Sequence, residues 1–311
     1  MKRALVIPAA IALLCLSSLA WATITISTVL VGNVGNAADT RYGTHGSVGY
    51  TYNIGKYEVT VGQYTAFLNA VAATDTYGLY CPWNESGITQ NGVSGSYTYW
   101  VPTDFINRPV SFVSYWDAIR FANWLHNGQP SGLQNTSTTE DGAYLTNGYN
   151  GYDGRTIQRK PGAKWFIPSE NEWYKAAYYK GSGANYWEYP TKSYSINTSM
   201  ANYGNPAGHT TSVGSYAYPS AYGTYDQGGN VWEWTEAINS QTPGYAYRCM
   251  RGGSFALSGD NLRPNYMGVT LSPCEFNDVG FRIVQAVPEP SSLMIVAGGL
   301  GMILGLRKRK A

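Results

Sequence analysis

Side chains suited to redox, acid–base or metal chemistry are few in this chain, and they are scattered. The histidines are His45, His126 and His209, and the cysteines are Cys15, Cys81, Cys249 and Cys274. No nucleophile elbow, phosphate loop or zinc-type spacing occurs. A non-haem iron triad needs two histidines and a carboxylate that converge. His126 closes a helical stretch whose other face is apolar, which suits a surface or capping role, and iron is not the expected metal. Cys249 and Cys274 flank the run Arg251-Gly252-Gly253-Ser254-Phe255 and could bridge neighbouring strands. Closing that loop would stabilise by roughly 3.5 kcal/mol in the chain-entropy account and would leave Cys81 odd. The alternative is three buried thiols.

Three helical stretches and three strands are expected to position these groups. Thr60 opens the first helix, with Val61, Tyr64, Phe67, Leu68 and Val71 on one face. Ser114 opens the second, paired with Asp117 as a capping box, and the stretch ends at Asn127-Gly128. Ser169 opens the third, with Glu172 in the box position and Gly181 as the stop. Strands are expected at Tyr50–Val59, Tyr247–Phe255 and Gly280–Val284. From Gly181 to Gln227 the chain is rich in Gly, Ser, Thr, Asn, Pro and Tyr, which predicts long irregular loops. No repeat of 20–50 residues marks a propeller or solenoid.

The two ends carry separate signals. Lys2-Arg3, the apolar stretch Ala4–Leu19 and the small-x-small site Ala20-Trp21-Ala22 form a secretory leader, with cleavage expected after Ala22. At the other end, Val287-Pro288-Glu289-Pro290-Ser291 precedes an apolar run, Leu293–Leu306, and the basic cluster Arg307-Lys308-Arg309-Lys310. That layout is of the stop-transfer type, although the run is short for a full span. The tail resembles a PEP-CTERM sorting signal, which implies an exosortase as partner and transient membrane anchoring. Without the two ends the chain holds 15 basic and 18 acidic residues, so the mature domain carries about −3. A domain of that charge offers no footprint for nucleic acid. The expected divisions are 1–22 leader, 23–45 lead-in, 46–286 domain and 287–311 sorting tail.

Several blocks in the domain, taken in order, resemble the formylglycine-generating enzyme (sulfatase-modifying factor) family. They are Ile54-Gly55-Lys56-Tyr57-Glu58-Val59-Thr60, Arg108-Pro109-Val110-Ser111 and Trp165-Phe166-Ile167-Pro168-Ser169-Glu170-Asn171-Glu172-Trp173. Gly229-Asn230-Val231-Trp232-Glu233-Trp234, the Gly-Gly-Ser run and Gly280-Phe281-Arg282 complete the set. The resemblance implies an α+β variant of the C-type lectin fold: a twisted antiparallel sheet, few helices and long loops. The family's oxidation uses copper(I) and oxygen at two cysteines shortly after the Gly-Gly-Ser. Here Leu257 and Leu262 stand at those positions. Leucine can supply neither a soft copper ligand nor a thiolate, so copper and that reaction are not expected. A sister branch, the ergothioneine-type sulfoxide synthases, uses iron and an added helical domain for which this chain has no room.

The resemblance further implies calcium. One ligand set carries over to Asp226, the Gly229 and Val231 carbonyls, and Glu233; Asn202 and Tyr203 match the first half of a second set. Calcium takes about six to eight hard oxygens and accepts backbone carbonyls. The competing reading gives Glu233 to a buried arginine. Arg282, similar to the family's buried arginine, needs a carboxylate, with Glu58 and Glu233 as candidates. Trp232 and Trp234 face either the core or a sugar. The expected protein is an exported envelope module, without the copper chemistry, that binds exopolysaccharide or a surface protein. The alternative is a metal-dependent oxidoreductase with other ligands.

Overall fold

The computed structural model describes residues 23–82 and 87–288. The expected leader, and the expected sorting tail from Glu289 onward, lie outside the described residues.

Each helix begins at a hydroxyl side chain in extended backbone. Thr60, Ser114 and Ser169 accept from the N–H groups of Gln63, Asp117 and Glu172, whose side chains bond back to the cap's own N–H. These reciprocal bonds satisfy donors that a first turn leaves open. They start α1 (Val61–Val71), α2 (Tyr115–His126) and α3 (Glu170–Tyr178). The last stops ahead of Gly181, because Tyr179 already adopts extended backbone.

The strands are short. They are β1 (Thr28–Val31), β2 (Tyr52–Gly55), β3 (Thr89–Asn91), β4 (Thr98–Trp100), β5 (Trp165–Phe166), β6 (Trp232–Thr242), β7 (Tyr245–Arg251), β8 (Gly268–Leu271), β9 (Val279–Gly280) and β10 (Val284–Ala286). One antiparallel sheet runs β1-β2-β10-β5. A second runs β8-β7-β6-β9, with β9 parallel to β6, and β3-β4 is a separate hairpin. The segment expected as a lead-in supplies β1, which pairs along the whole of β2.

Two expected strands end early, and one divides. Past Arg251 the chain turns at Gly252 and Gly253, whose φ values of +98° and +71° suit glycine and end the ladder. Past Gly55 the backbone leaves the sheet, and Val59 N–H donates instead to Phe281 O. The stretch Gly280–Val284 is not one strand. Val279 and Gly280 pair with β6 in the second sheet, whereas Val284 pairs with β2 and β5 in the first. The link between them, Phe281, Arg282 and Ile283, crosses the interior fully buried. This crossing joins the two sheets and delivers Arg282 to the site described below.

Cys249 and Cys274 are not bridged. The register sets Val269 opposite Cys249, and Cys274 lies past the end of β8 at Leu271. Trp232 and Trp234 are both buried; the Trp234 indole N–H donates to Val113 O. They belong to the main core with Phe67, Phe121 and Trp124.

Candidate functional site

The crossing segment places Arg282 against Glu233 of β6, and neither side chain is exposed. Arg282 Nε donates to Glu233 Oε2 at 2.5 Å and a terminal nitrogen donates to Oε1 at 2.6 Å. The remaining guanidinium donors reach Gly55 O and Tyr225 O. Trp173 of α3 adds an indole N–H to Glu233 Oε2 at 2.6 Å. Of the two carboxylates considered for Arg282, Glu233 is therefore the partner in contact.

Glu58 is the odd member. It is buried, and both carboxyl oxygens lack a hydrogen-bond partner. Burial first, and then the nearby Asp226 charge, hold its carboxyl well above the ordinary range. Burial likewise pushes Asp226 up to about 6, against the Gly214 N–H that donates to it. A raised folded-state value means that the unfolded chain gives up this proton first as pH rises, so Glu58 lowers stability above about pH 4.5. Glu58→Gln is expected to stabilise by about 1–2 kcal/mol at neutral pH, with the gain fading toward pH 4. Urea unfolding across that range checks it; a gain that is constant with pH, or a loss, would count against a neutral buried Glu58.

The six residues expected to ligate calcium fall into two groups. Asp226 and Glu233 lie around Arg282 with Glu58, and Gly229 and buried Val231 lead into β6. Asn202 packs its backbone against Gly229 at the start of the block: its Nδ2 donates to His209 O and Asn230 Oδ1, while its carbonyl accepts from Asn230 N–H. Tyr203 packs against a small apolar cluster of Tyr189, Ala201 and Leu262. Among the described residues no group of three or more His, Cys, Asp or Glu is arranged to hold a metal. The first set does not fit calcium as it stands, because both Glu233 oxygens face a guanidinium. Asn202 fits better: its Oδ1 is buried without a partner, and so is Thr211 Oγ1 nearby on the same Asn230 network.

The three histidines do not converge. His126 Nδ1 accepts from Lys164 N–H, His209 lies 3.2 Å from Arg108, and His45 lies 3.9 Å from Glu170. Leu262 is fully buried beside Tyr189 and Ala201, and Leu257 packs half-buried on the main core. A cleft of about 180 Å³ beside Phe255 is lined by Arg108, Ser111, His209 and Asn277, with no cysteine among its walls.

One polar network escaped the sequence reading. Arg159 donates to both Glu172 and Glu236, at 2.6–2.9 Å. Burial opposes the Glu172 charge, but the Arg159 hydrogen bonds outweigh it and hold the carboxyl below its ordinary value. Glu172 was legible only as a helix cap; nothing local points to a partner on another segment.

The order of blocks, the two sheets joined through Arg282 and the loop-rich chain agree with what the comparisons give. A family model described as "Sulfatase-modifying factor enzyme 1-like domain" matches residues 25–287. The chain belongs to this family. Among curated relatives, this sulfatase-modifying-factor chain is 32% identical over 120 residues to hercynine oxygenase of Mycolicibacterium thermoresistibile. That match covers 32% of the chain and 27% of the relative, so it spans about a quarter of that protein's length. It is 24% identical over 235 residues to the uncharacterized protein YfmG of Bacillus subtilis, covering 61% and 47%. Among solved structures it is similar to Treponema denticola variable protein 1, with TM-score 0.60, 20% identity, and 85% and 96% of the two chains covered. CarF gives TM-score 0.58 and 24% identity over 86% and 100%. These likenesses show the fold: the formylglycine-generating-enzyme-like variant of the C-type lectin fold, as expected from the blocks.

Proposed function

We propose that this sulfatase-modifying-factor domain is an exported, exosortase-sorted envelope module that acts by binding exopolysaccharide or a surface protein. The observation that carries the reading is the fate of the segment after Gly-Gly-Ser. Leu262 there is sealed in an apolar cluster and Leu257 leans on the core, so the segment offers no thiolate pair. The leader and the tail motif supply the address. Calcium in this reading is structural: Asn202 and the start of the Tyr203 loop would hold it, pinning chain that otherwise loses conformational entropy on ordering. Glu233 stays with Arg282.

A second reading, a metal-dependent oxidoreductase with ligands other than cysteine, is favoured by the similarity to hercynine oxygenase. Elemental analysis of the purified chain separates the two. Calcium without stoichiometric iron or copper is the expected result; one iron or copper per chain would overturn the binding reading. Retention on immobilised glycans, with and without calcium, tests the ligand class, and no retention in either condition would sink its polysaccharide form.

A further inference from the structure

The cleft of about 180 Å³ beside Phe255 gathers donors that the rest of the chain leaves unanswered. Arg108 stands half-buried in its wall, and among the described residues no carboxylate pairs with it. Its guanidinium lies 4.2 Å from the Phe105 ring centre, and a terminal nitrogen lies 3.2 Å from His209 Nδ1. That same Nδ1 lies 2.8 Å from Thr210 O. One ring nitrogen cannot donate to the carbonyl and accept from Arg108 at once, so at most one guanidinium donor is engaged. Ser111 is 5% exposed and lines the same cleft. Its hydroxyl makes no hydrogen bond among the described residues. Unlike the hydroxyls of Tyr115 and Ser272 it is not sealed, so the surface it keeps opens into the cleft. The next residue, Phe112, has φ +55°, which a bulky side chain rarely adopts. Extended chain would send neighbouring side chains to opposite faces; this bend lets Ser111 and Phe112 line one cleft. Phe112 N–H donates to Phe276 O, which ties the bend to the loop carrying Asn277.

An unbonded hydroxyl at the floor of a cleft, beside a guanidinium without a carboxylate, offers donors to an acceptor from outside the chain. Among the described residues no carboxylate lines the cleft. Asp278 follows Asn277, but its Oδ2 accepts from the Ser254 hydroxyl. A cation is therefore disfavoured, and with Arg108 as the one permanent charge a monoanion is matched better than a dianion. The guanidinium fork fits the two oxygens of a carboxylate. Phe105, Phe112 and Phe255 give the wall flat apolar faces, which suit a ring. The volume is below that of whole-ligand pockets, about 300–1,000 Å³, so the cleft takes one ring with its acid group. We propose that this cleft binds a ring-shaped monocarboxylate, with Arg108 pairing the acid and the Ser111 hydroxyl donating to it. Two sources share that chemistry: a uronic acid unit of an acidic polysaccharide, and a free aromatic acid. The inference does not depend on the envelope-binding reading: small acids probe the cleft, whereas glycan retention probes that reading.

Titration calorimetry on the full chain tests it with glucuronate and benzoate, and with their neutral counterparts glucose and benzamide. At least one acid is expected to bind, and its neutral counterpart to bind at least about tenfold more weakly. Binding of glucuronate alone assigns the sugar acid, and binding of benzoate alone assigns the aromatic acid. Binding of both supports the shared chemistry, a carboxylate on a ring. Ser111→Ala removes an unbonded hydroxyl, so the fold should hold while affinity for the acid falls roughly three- to tenfold. Arg108→Gln should lower it by roughly ten- to a hundredfold. Should the Arg108 variant unfold, Ser111→Ala decides. No heat with either acid up to about 10 mM, equal affinity for the neutral counterpart, or unaltered affinity in folded Ser111→Ala would overturn the proposal.

Discussion

Replacing Arg282 by methionine is expected to destabilise the folded chain by about 3–5 kcal/mol. The substitution leaves the Glu233 carboxylate fully buried with only the Trp173 indole as donor, and it strips Gly55 O and Tyr225 O of theirs. A buried pair gives little net stability over an apolar pair of the same shape, yet removing one partner exposes the whole desolvation cost of the other. The sign of the second substitution follows. Glu233→Gln in the Arg282→Met background removes the stranded charge, so the double variant should be more stable than Arg282→Met alone. Urea unfolding of the four chains gives the coupling. An Arg282→Met chain within about 1 kcal/mol of the wild type would mean that this pair does not join the two sheets energetically.

The second large effect is expected at Gly229→Ala, at least about 3 kcal/mol. Gly229 has φ +83°, and a Cβ there would meet Asn202 O at 2.2 Å and its carbonyl carbon at 2.8 Å. The obstacle is backbone, and it is held: Asn202 O accepts from Asn230 N–H at 2.8 Å. Gly244→Ala in the β6–β7 turn is the control. Its φ is +84°, with nothing within 4 Å, so it should cost only the left-handed penalty of about 1–2 kcal/mol. The difference between the two isolates the contact that seats Asn202, and its idle Oδ1, on the Gly-Asn-Val-Trp block. Equal costs at the two positions would show that this contact relaxes freely.

The helix starts were legible because a capping box is decided within four residues. Thr60, Ser114 and Ser169 each find their partner three positions on, whatever the rest of the chain does. The order of the family-like blocks carried the fold, and Leu257 and Leu262 could be read as apolar positions directly. Strand ends were less legible. Phe281 to Ile283 is as apolar as a strand on both sides of its arginine, and only the two sheets it bridges show that the regular ladder breaks between Gly280 and Val284.

What the chain alone decided, then, is local or compositional: the caps, the loop-rich middle, and the absence of a cysteine pair after Ser254. Tertiary structure decided which charges answer one another. Glu233 and Arg282 are 49 residues apart, and Arg159 and Glu236 are 77 apart. Whether such a pair forms depends on which segments share a desolvated volume, and no spacing in the sequence encodes that. The same holds for what is left over. Glu58 without a donor and Arg248 without a carboxylate look like any other charged residues until burial removes the water that would have satisfied them.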